Sequence, residues 1–258
     1  MTTELNDYGL LTIFLVSLVV VFAASEIGRW FGARAGGRGE DISTLESAIL
    51  GLMALMIGFT FAMALTRFEG RRVAVLNEAN TIETTALRAR LLPAPHNAEI
   101  LKLLKDYVQI RLDITRQVPS PAEFEAAITR SSAIQQELWQ QAKAVAATDN
   151  GMVPTGLFIE SLNEMIDNQQ KRLTALRNRV PNIVLLTLYG VAAVATAFAG
   201  YTSGLGQRPS RLPIYVIIVL VCAVILLIQE LDRPLSGVSA NIQQPMIDTA
   251  ASINAHAD

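Results

Sequence analysis

Residues 47–66 read Ser47-Ala-Ile-Leu-Gly51-Leu-Met-Ala54-Leu55-Met-Ile-Gly58-Phe59-Thr-Phe-Ala62-Met-Ala-Leu-Thr66, a run with no charged residue, and Arg67 and Phe68 follow it. A helix rises 1.5 Å per residue, so about 20 apolar residues cross a hydrocarbon core of roughly 30 Å. Three further uncharged runs have the same character: Tyr8 to Ser25, Asn182 to Gln207 and Leu212 to Gln229. Four such runs in 258 residues are poor candidates for the core helices of a globular domain. The chain therefore reads as an integral membrane protein, and the lipid bilayer is its first partner.

Composition agrees with this reading. Hydrophobic residues make up 51% and charged residues only 17%, against about 25% charged in a soluble domain. A net charge of -2 leaves no basic surplus to neutralise phosphates, so no nucleic-acid partner is expected. The single cysteine, Cys222, sits in an apolar run and excludes a disulfide framework within the chain. Before the first run the chain starts Met1-Thr-Thr-Glu-Leu-Asn-Asp. A secretory signal needs a basic segment there, so the first run is expected to be retained.

Residues 67–180 differ from the spans. They hold 15 of the 21 basic and 13 of the 23 acidic residues, with apolar positions such as Ile159, Leu162, Ile166, Leu173, Leu176 and Val180 at helical spacing. The fold class expected is all-α: a four-transmembrane-helix bundle with a helical extramembrane domain inserted between the second and third spans. The organisation is then 1–66 for spans one and two, 67–180 for the domain, 181–229 for spans three and four, and 230–258 for a C-terminal tail.

Punctuation within this plan is local. Pro93 and Pro95 should break a helix that continues out of the second span. Ser120-Pro121-Ala-Glu123 has the residues of a capping box, and so do Ser43 and Glu46 ahead of the second span. Gly36 to Gly39 and Asp149 to Pro154 read as loops. Gly204, Gly206, Pro209 and Pro213 demand a tight hairpin between the last two spans. Arginines on both sides of the membrane runs leave the charge rule for orientation undecided.

Chemistry is sparse. His96 and His256 stand alone, no phosphate-cradling loop or zinc motif occurs, and the carboxylates are scattered along amphipathic helices. No enzyme activity, metal or cofactor is expected. Glu26 and Arg29, one turn apart, read as an interfacial anchor. In the second span, Ala54, Gly58 and Ala62 recur every four residues, a small-residue stripe that lets another helix approach closely. Beside it runs Gly51, Leu55, Phe59 and Met63.

The segment Gly58-Phe59-Thr-Phe-Ala-Met-Ala-Leu-Thr66-Arg67-Phe68 resembles the end of the pore helix in bestrophins, where a Gly-Phe pair precedes a Thr-Arg-aromatic signature. The wider stretch from Leu45 to Leu92 is similar to a bacterial bestrophin-like family, as is Glu230-Leu-Asp232-Arg233-Pro234, followed by Gln244-Pro245. The resemblance implies a homo-oligomeric channel, a pentamer with one pore helix per subunit and cytosolic termini. It also implies inorganic ions, chief among them anions such as chloride, as the cargo. By position the pore neck would be Gly51, Leu55 and Phe59, and Thr66, Arg67, Asp232, Arg233 and Pro234 carry the family signature. The location implied is a bacterial cytoplasmic membrane. The sequence departs from the animal proteins where their calcium clasp needs several carboxylates in succession. After Glu230 and Asp232 no acid follows until Asp248, so calcium gating is not expected. A membrane signalling or scaffold protein without conduction and a proton-driven motor-type subunit remain as alternatives.

Overall fold

Apolar runs flanked by charge become helices because the backbone has no other way to satisfy its N–H and C=O groups in lipid. The computed structural model describes residues 9–35, 40–116, 119–148, 153–206, 211–234 and 242–255. It contains, among these, α1 (Leu10–Ala35), α2 (Glu40–Ala89), α3 (His96–Arg116), α4 (Pro121–Thr148), α5 (Val153–Arg177), α6 (Asn182–Gly204), α7 (Leu212–Asp232) and α8 (Gln244–Ala255). No strand occurs among the described residues. Among the described residues four helices are long and apolar enough to cross a membrane, and each covers all or most of one of the four runs read from the sequence.

The chain divides into two compact units, Met1–Arg67 with Arg179–Arg233 and Phe68–Asn178 with Pro234–Asp258. The first is the membrane unit. Its tightest seam joins α1 to α6 through glycines. A Cβ added at Gly28 would lie 2.0 Å from the Ala197 carbonyl oxygen, and one at Gly32 would lie 2.1 Å from that of Tyr201. Reciprocally, a Cβ at Gly200 would meet the Ser25 oxygen at 2.0 Å and one at Gly204 the Arg29 oxygen at 2.3 Å. The pairing advances in the same direction along both helices, so α1 and α6 run parallel. Only glycine permits so close an approach, which suits Cα–H···O contacts between backbones. On another side of α1, Val21 packs with Ile214, Ile218 and Cys222 of α7, and Phe22 stacks on Tyr215 at 4.5 Å between ring centres.

The second unit is a helical domain with its own core. Ile82, Ala86 and Ala89 of α2 meet Ile100, Leu104 and Tyr107 of α3, Leu138 and Ala142 of α4, and Phe158, Leu162 and Met165 of α5. The break at Pro93 and Pro95 falls between α2 and α3, as the sequence indicated, and the Ala94–Pro95 bond is cis. The box at the start of α4 also forms: the Ser120 N–H donates to Glu123 Oε2 at 2.7 Å, and the Glu123 N–H donates to Ser120 Oγ at 3.3 Å. Hydrogen bonding from the Ser120 backbone N–H, and after it from the Ser120 side chain, holds the Glu123 carboxyl below the usual carboxylate range.

Two local readings need correction. Ser43 does not cap α2, which begins at Glu40; nothing from Glu40 to Ile42 breaks a helix, so the backbone ladder extends past the capping pattern. Val153 and Pro154, read as loop, open α5, because proline fits the first turn of a helix. Gly36–Gly39, Asp149–Met152, Gln207–Ser210 and His256 lie outside the described residues. Segment 234–258 contributes α8, whose Met246 and Ile253 join the core of the second unit. Its twelve residues carry too few apolar positions to stand out in the sequence.

Candidate functional site

In the membrane part of α2 the two stripes lie side by side on an uncovered face. Leu55 is 53% and Phe59 64% exposed, and a Cβ at Gly51 or Gly58 would meet no atom within 4 Å. Ala54 and Ala62 are exposed on the same side, and Met63 is half-buried. The buried residues of this stretch are Met53, Thr60 and Ala64, on the other side of the helix. The Thr60 hydroxyl donates back to the Met56 carbonyl at 2.7 Å, so it exposes no unpaired donor to lipid.

The first signature pair ends this segment. Thr66 is exposed and its hydroxyl donates to the Ala62 carbonyl at 2.9 Å, while Arg67 is half-buried. The second signature patch has a clear structural task. Asp232 is fully buried in the last turn of α7, and its Oδ1 accepts the Val180 N–H at 2.8 Å. Val180 comes just before Pro181, the N-cap of α6, which has no side-chain cap of its own. Asp232 thus ties the end of one span to the entry of another. Arg233 and Pro234 are half-buried beyond it. Asp232→Ala would strand a buried N–H, and we expect a loss of about 1–3 kcal/mol. Asp232→Asn keeps an acceptor oxygen and should retain most of the stability. Equal melting of the alanine variant and the wild type in detergent would refute this role.

At the far end of α1, Glu26 accepts the Tyr215 hydroxyl at 2.8 Å and lies 3.9 Å from Arg29. The Arg34 guanidinium sits 3.5 Å over the Trp30 ring. Aromatic and basic groups together suit the membrane–water interface.

The domain holds a buried ionic cluster that the sequence reading placed on solvated faces. Glu78 of α2 is fully buried, and Arg111 of α3 and Arg172 of α5 are 1% and 3% exposed. Arg111 Nε lies 3.0 Å from Glu78 Oε1, and Arg172 Nη1 lies 2.5 Å from Oε2. The Tyr107 hydroxyl donates to Oε1 at 2.9 Å, and Arg172 Nη2 donates to Gln243 Oε1 at 3.0 Å. Burial pushes the Glu78 pKa up, but Arg111 and then Arg172 outweigh it and hold the carboxyl below its usual range. Tyr107 is raised well above the ordinary phenol value, first by burial and then by Glu78, so its hydroxyl stays a donor. Two guanidiniums on one carboxylate form an electrostatic knot rather than a reaction centre. Arg71 and Arg172, two of the arginines beyond the membrane runs, are buried.

Comparison with known proteins places this architecture. The Bestrophin-like domain family matches residues 13–243. The chain belongs to the bestrophin-like family. Solved structures agree on the fold of this bestrophin-like chain. A tryptophan-to-alanine variant of a bacterial bestrophin homologue from Klebsiella pneumoniae superposes with a TM-score of 0.64 at 15% identity, covering 100% of this chain and 97% of that one. An isoleucine-to-threonine variant of the homologue gives 0.64 at 17% identity over 96% and 98%. The structure of the homologue phased with zinc gives 0.61 at 17% over 94% and 99%. No curated protein matches the sequence.

Proposed function

We propose that this bestrophin-like protein is the subunit of a homo-oligomeric ion channel, a pentamer in a bacterial cytoplasmic membrane. It conducts anions such as chloride through a pore lined by α2. The observation that carries the proposal is the bare face of α2: Leu55 and Phe59 project from it, and nothing among the described residues covers Gly51 or Gly58. Copies of the chain arranged about an axis would bring these faces together. Ala54, Gly58 and Ala62 would then seat the neighbouring helix, and Gly51, Leu55 and Phe59 would form the neck.

A ring of leucines and phenylalanines is a constriction that conducts when wetted and closes when dry. Phenyl rings turned edge-on present the positive rim of their quadrupole, which favours an anion over a cation. The domain at 67–180 is then a cytoplasmic vestibule through which ions reach the neck. The test is ion flux through purified protein in liposomes, chloride against sodium, for the wild type and Phe59→Ala. We expect chloride flux in the wild type and a change in conductance and selectivity in the variant. Absence of flux for either ion from a well-folded oligomer would sink the channel reading and favour a scaffold.

A further inference from the structure

The cluster at Glu78 carries a surplus positive charge and has run out of acceptors. Among the described residues, Glu78 is the one carboxylate in contact with Arg111 and Arg172. Its Oε1 faces Arg111 Nε and accepts from the Tyr107 hydroxyl, and its Oε2 accepts from Arg111 Nη2 and Arg172 Nη1. A carboxylate offers about four lone-pair sites, so this one is saturated. The side-chain oxygens of Gln169 and Gln243 are occupied as well, by Gln135 and by Arg172. The donors are not used up. Arg111 Nη1, Arg172 Nε, Gln169 Nε2 and Ser131 Oγ are buried without a hydrogen-bond partner. Leaving such groups unmatched is costly, and more so when they are charged.

Helix packing brings the four residues to one level of the domain. Arg111 and Arg172 share Glu78. On α5, Gln169 stands one turn before Arg172 on the same face. α4 runs antiparallel to α5: Gln135 donates to Gln169, and nearer the start of α4 Glu125 lies 3.7 Å from Arg177 at the end of α5. Ser131, between Glu125 and Gln135, is therefore level with Arg172. None of the four is more than 3% exposed.

We propose that this level of the domain binds a single chloride ion, held by Arg111, Arg172, Gln169 and Ser131. A water molecule could accept from two of these donors, but its own hydrogens would find the carboxylate and amide oxygens already taken. A monovalent anion only accepts, and it cancels the surplus charge. Shape argues against an oxyanion. Carboxylates and phosphates are gripped by the two-pronged edge of a guanidinium, and Arg111 spends that edge on Glu78. The free donors come singly from separate side chains on three helices, which suits a spherical acceptor. Burial holds the Arg172 pKa below the ordinary guanidinium value even with Glu78 beside it, and a second anion acts in the opposite sense. The ion supplements Glu78 and does not replace it, because the carboxylate is what holds the two guanidiniums together. This is a structural ion of the domain, and the inference does not depend on conduction through α2.

The test uses the full chain with Trp30→Phe, so that Trp139, packed on the domain core, alone reports melting in detergent. Protein purified in gluconate is compared with protein in chloride at the same ionic strength. We expect saturating chloride to raise the melting temperature by about 5–10 °C, and bromide to do the same. Arg111→Met leaves one guanidinium facing one carboxylate, so this variant should fold and lose the chloride effect. Ser131→Ala keeps every charge and removes one donor. It should need roughly tenfold more chloride for an equal shift, and it decides the matter if Arg111→Met does not fold. Crystals of protein purified in bromide should show anomalous density beside Arg172 Nε. Equal melting in gluconate and chloride would overturn the proposal and leave this level to water. So would bromide density absent from the cluster, or a chloride effect undiminished in the folded variants, which would put the ion elsewhere in the protein.

Discussion

Gly28→Val should yield no folded membrane unit: in detergent the variant should aggregate or melt far below the wild type. The new Cβ would lie 2.0 Å from the Ala197 carbonyl oxygen, 2.8 Å from its carbon and 3.0 Å from its Cα. These are backbone atoms inside a helix, so no side-chain rotation relieves the overlap. α1 and α6 would have to separate, and the contacts at Gly32, Gly200 and Gly204 would separate with them. Overpacking a core usually costs about 1–3 kcal/mol. Losing a whole helix seam should exceed about 4 kcal/mol, the exceptional range for one substitution. Gly190→Ala is the control, since a Cβ there meets nothing within 4 Å. If Gly28→Val and Gly190→Ala melt alike, the parallel glycine seam is wrong.

The second large effect is expected at Glu78→Gln. The side chain keeps its shape but loses its charge, leaving Arg111 and Arg172 buried side by side without an anion. Breaking one partner out of a buried ionic group costs about 3–5 kcal/mol. Trp139 packs against the core of this unit and reports its unfolding by fluorescence once Trp30 is replaced by Phe. Because the native Glu78 pKa is lowered, its contribution is complete above the ordinary glutamate value of about 4.3 and is lost as the pH falls toward the native value. The advantage of the wild type over Glu78→Gln should therefore shrink on acidification. Converting all three residues to apolar ones, as Glu78→Leu, Arg111→Met and Arg172→Met together, should recover most of the loss. A wild-type advantage that holds unchanged down to strongly acidic pH would disprove the assignment.

These two sites also mark the limit of what can be read from sequence. The spans, the proline break after α2 and the Ser120–Glu123 box are decided by residues within a few positions of one another, and all three are legible. The α1–α6 seam leaves a fainter trace, the four-residue spacing of Gly28 and Gly32 and likewise of Gly200 and Gly204. The same spacing in α2, at Ala54, Gly58 and Ala62, is left exposed among the described residues, so spacing alone does not separate a seam within the chain from a bare face. The knot was harder to foresee, since Glu78, Arg111 and Arg172 are far apart in the chain and meet only when α2, α3 and α5 pack. One signal was available: Glu78 lies in register with Val75, Ala79 and Ile82, all buried, so a charged residue occupied a core position. Face assignment, rather than composition, carries that information. The role of Asp232 was visible only as a resemblance, because its acceptor function depends on Val180 arriving beside it.

Closure of the domain core by α8 sets an order on biosynthesis. Met246 and Ile253 fill places beside residues of α2 and α3, Thr249 donates to the Ala79 carbonyl at 3.3 Å, and Ser252 donates to Glu83 at 2.8 Å. Gln243, just ahead of α8, accepts from Arg172. None of these groups exists until both later spans have been made. At roughly 5–20 residues per second the nascent domain waits several seconds with an open flank and an Arg172 donor unmatched. A stop codon after Arg233 would make that waiting state permanent, so even a truncation that spares every span should leave the product to chaperones and proteases.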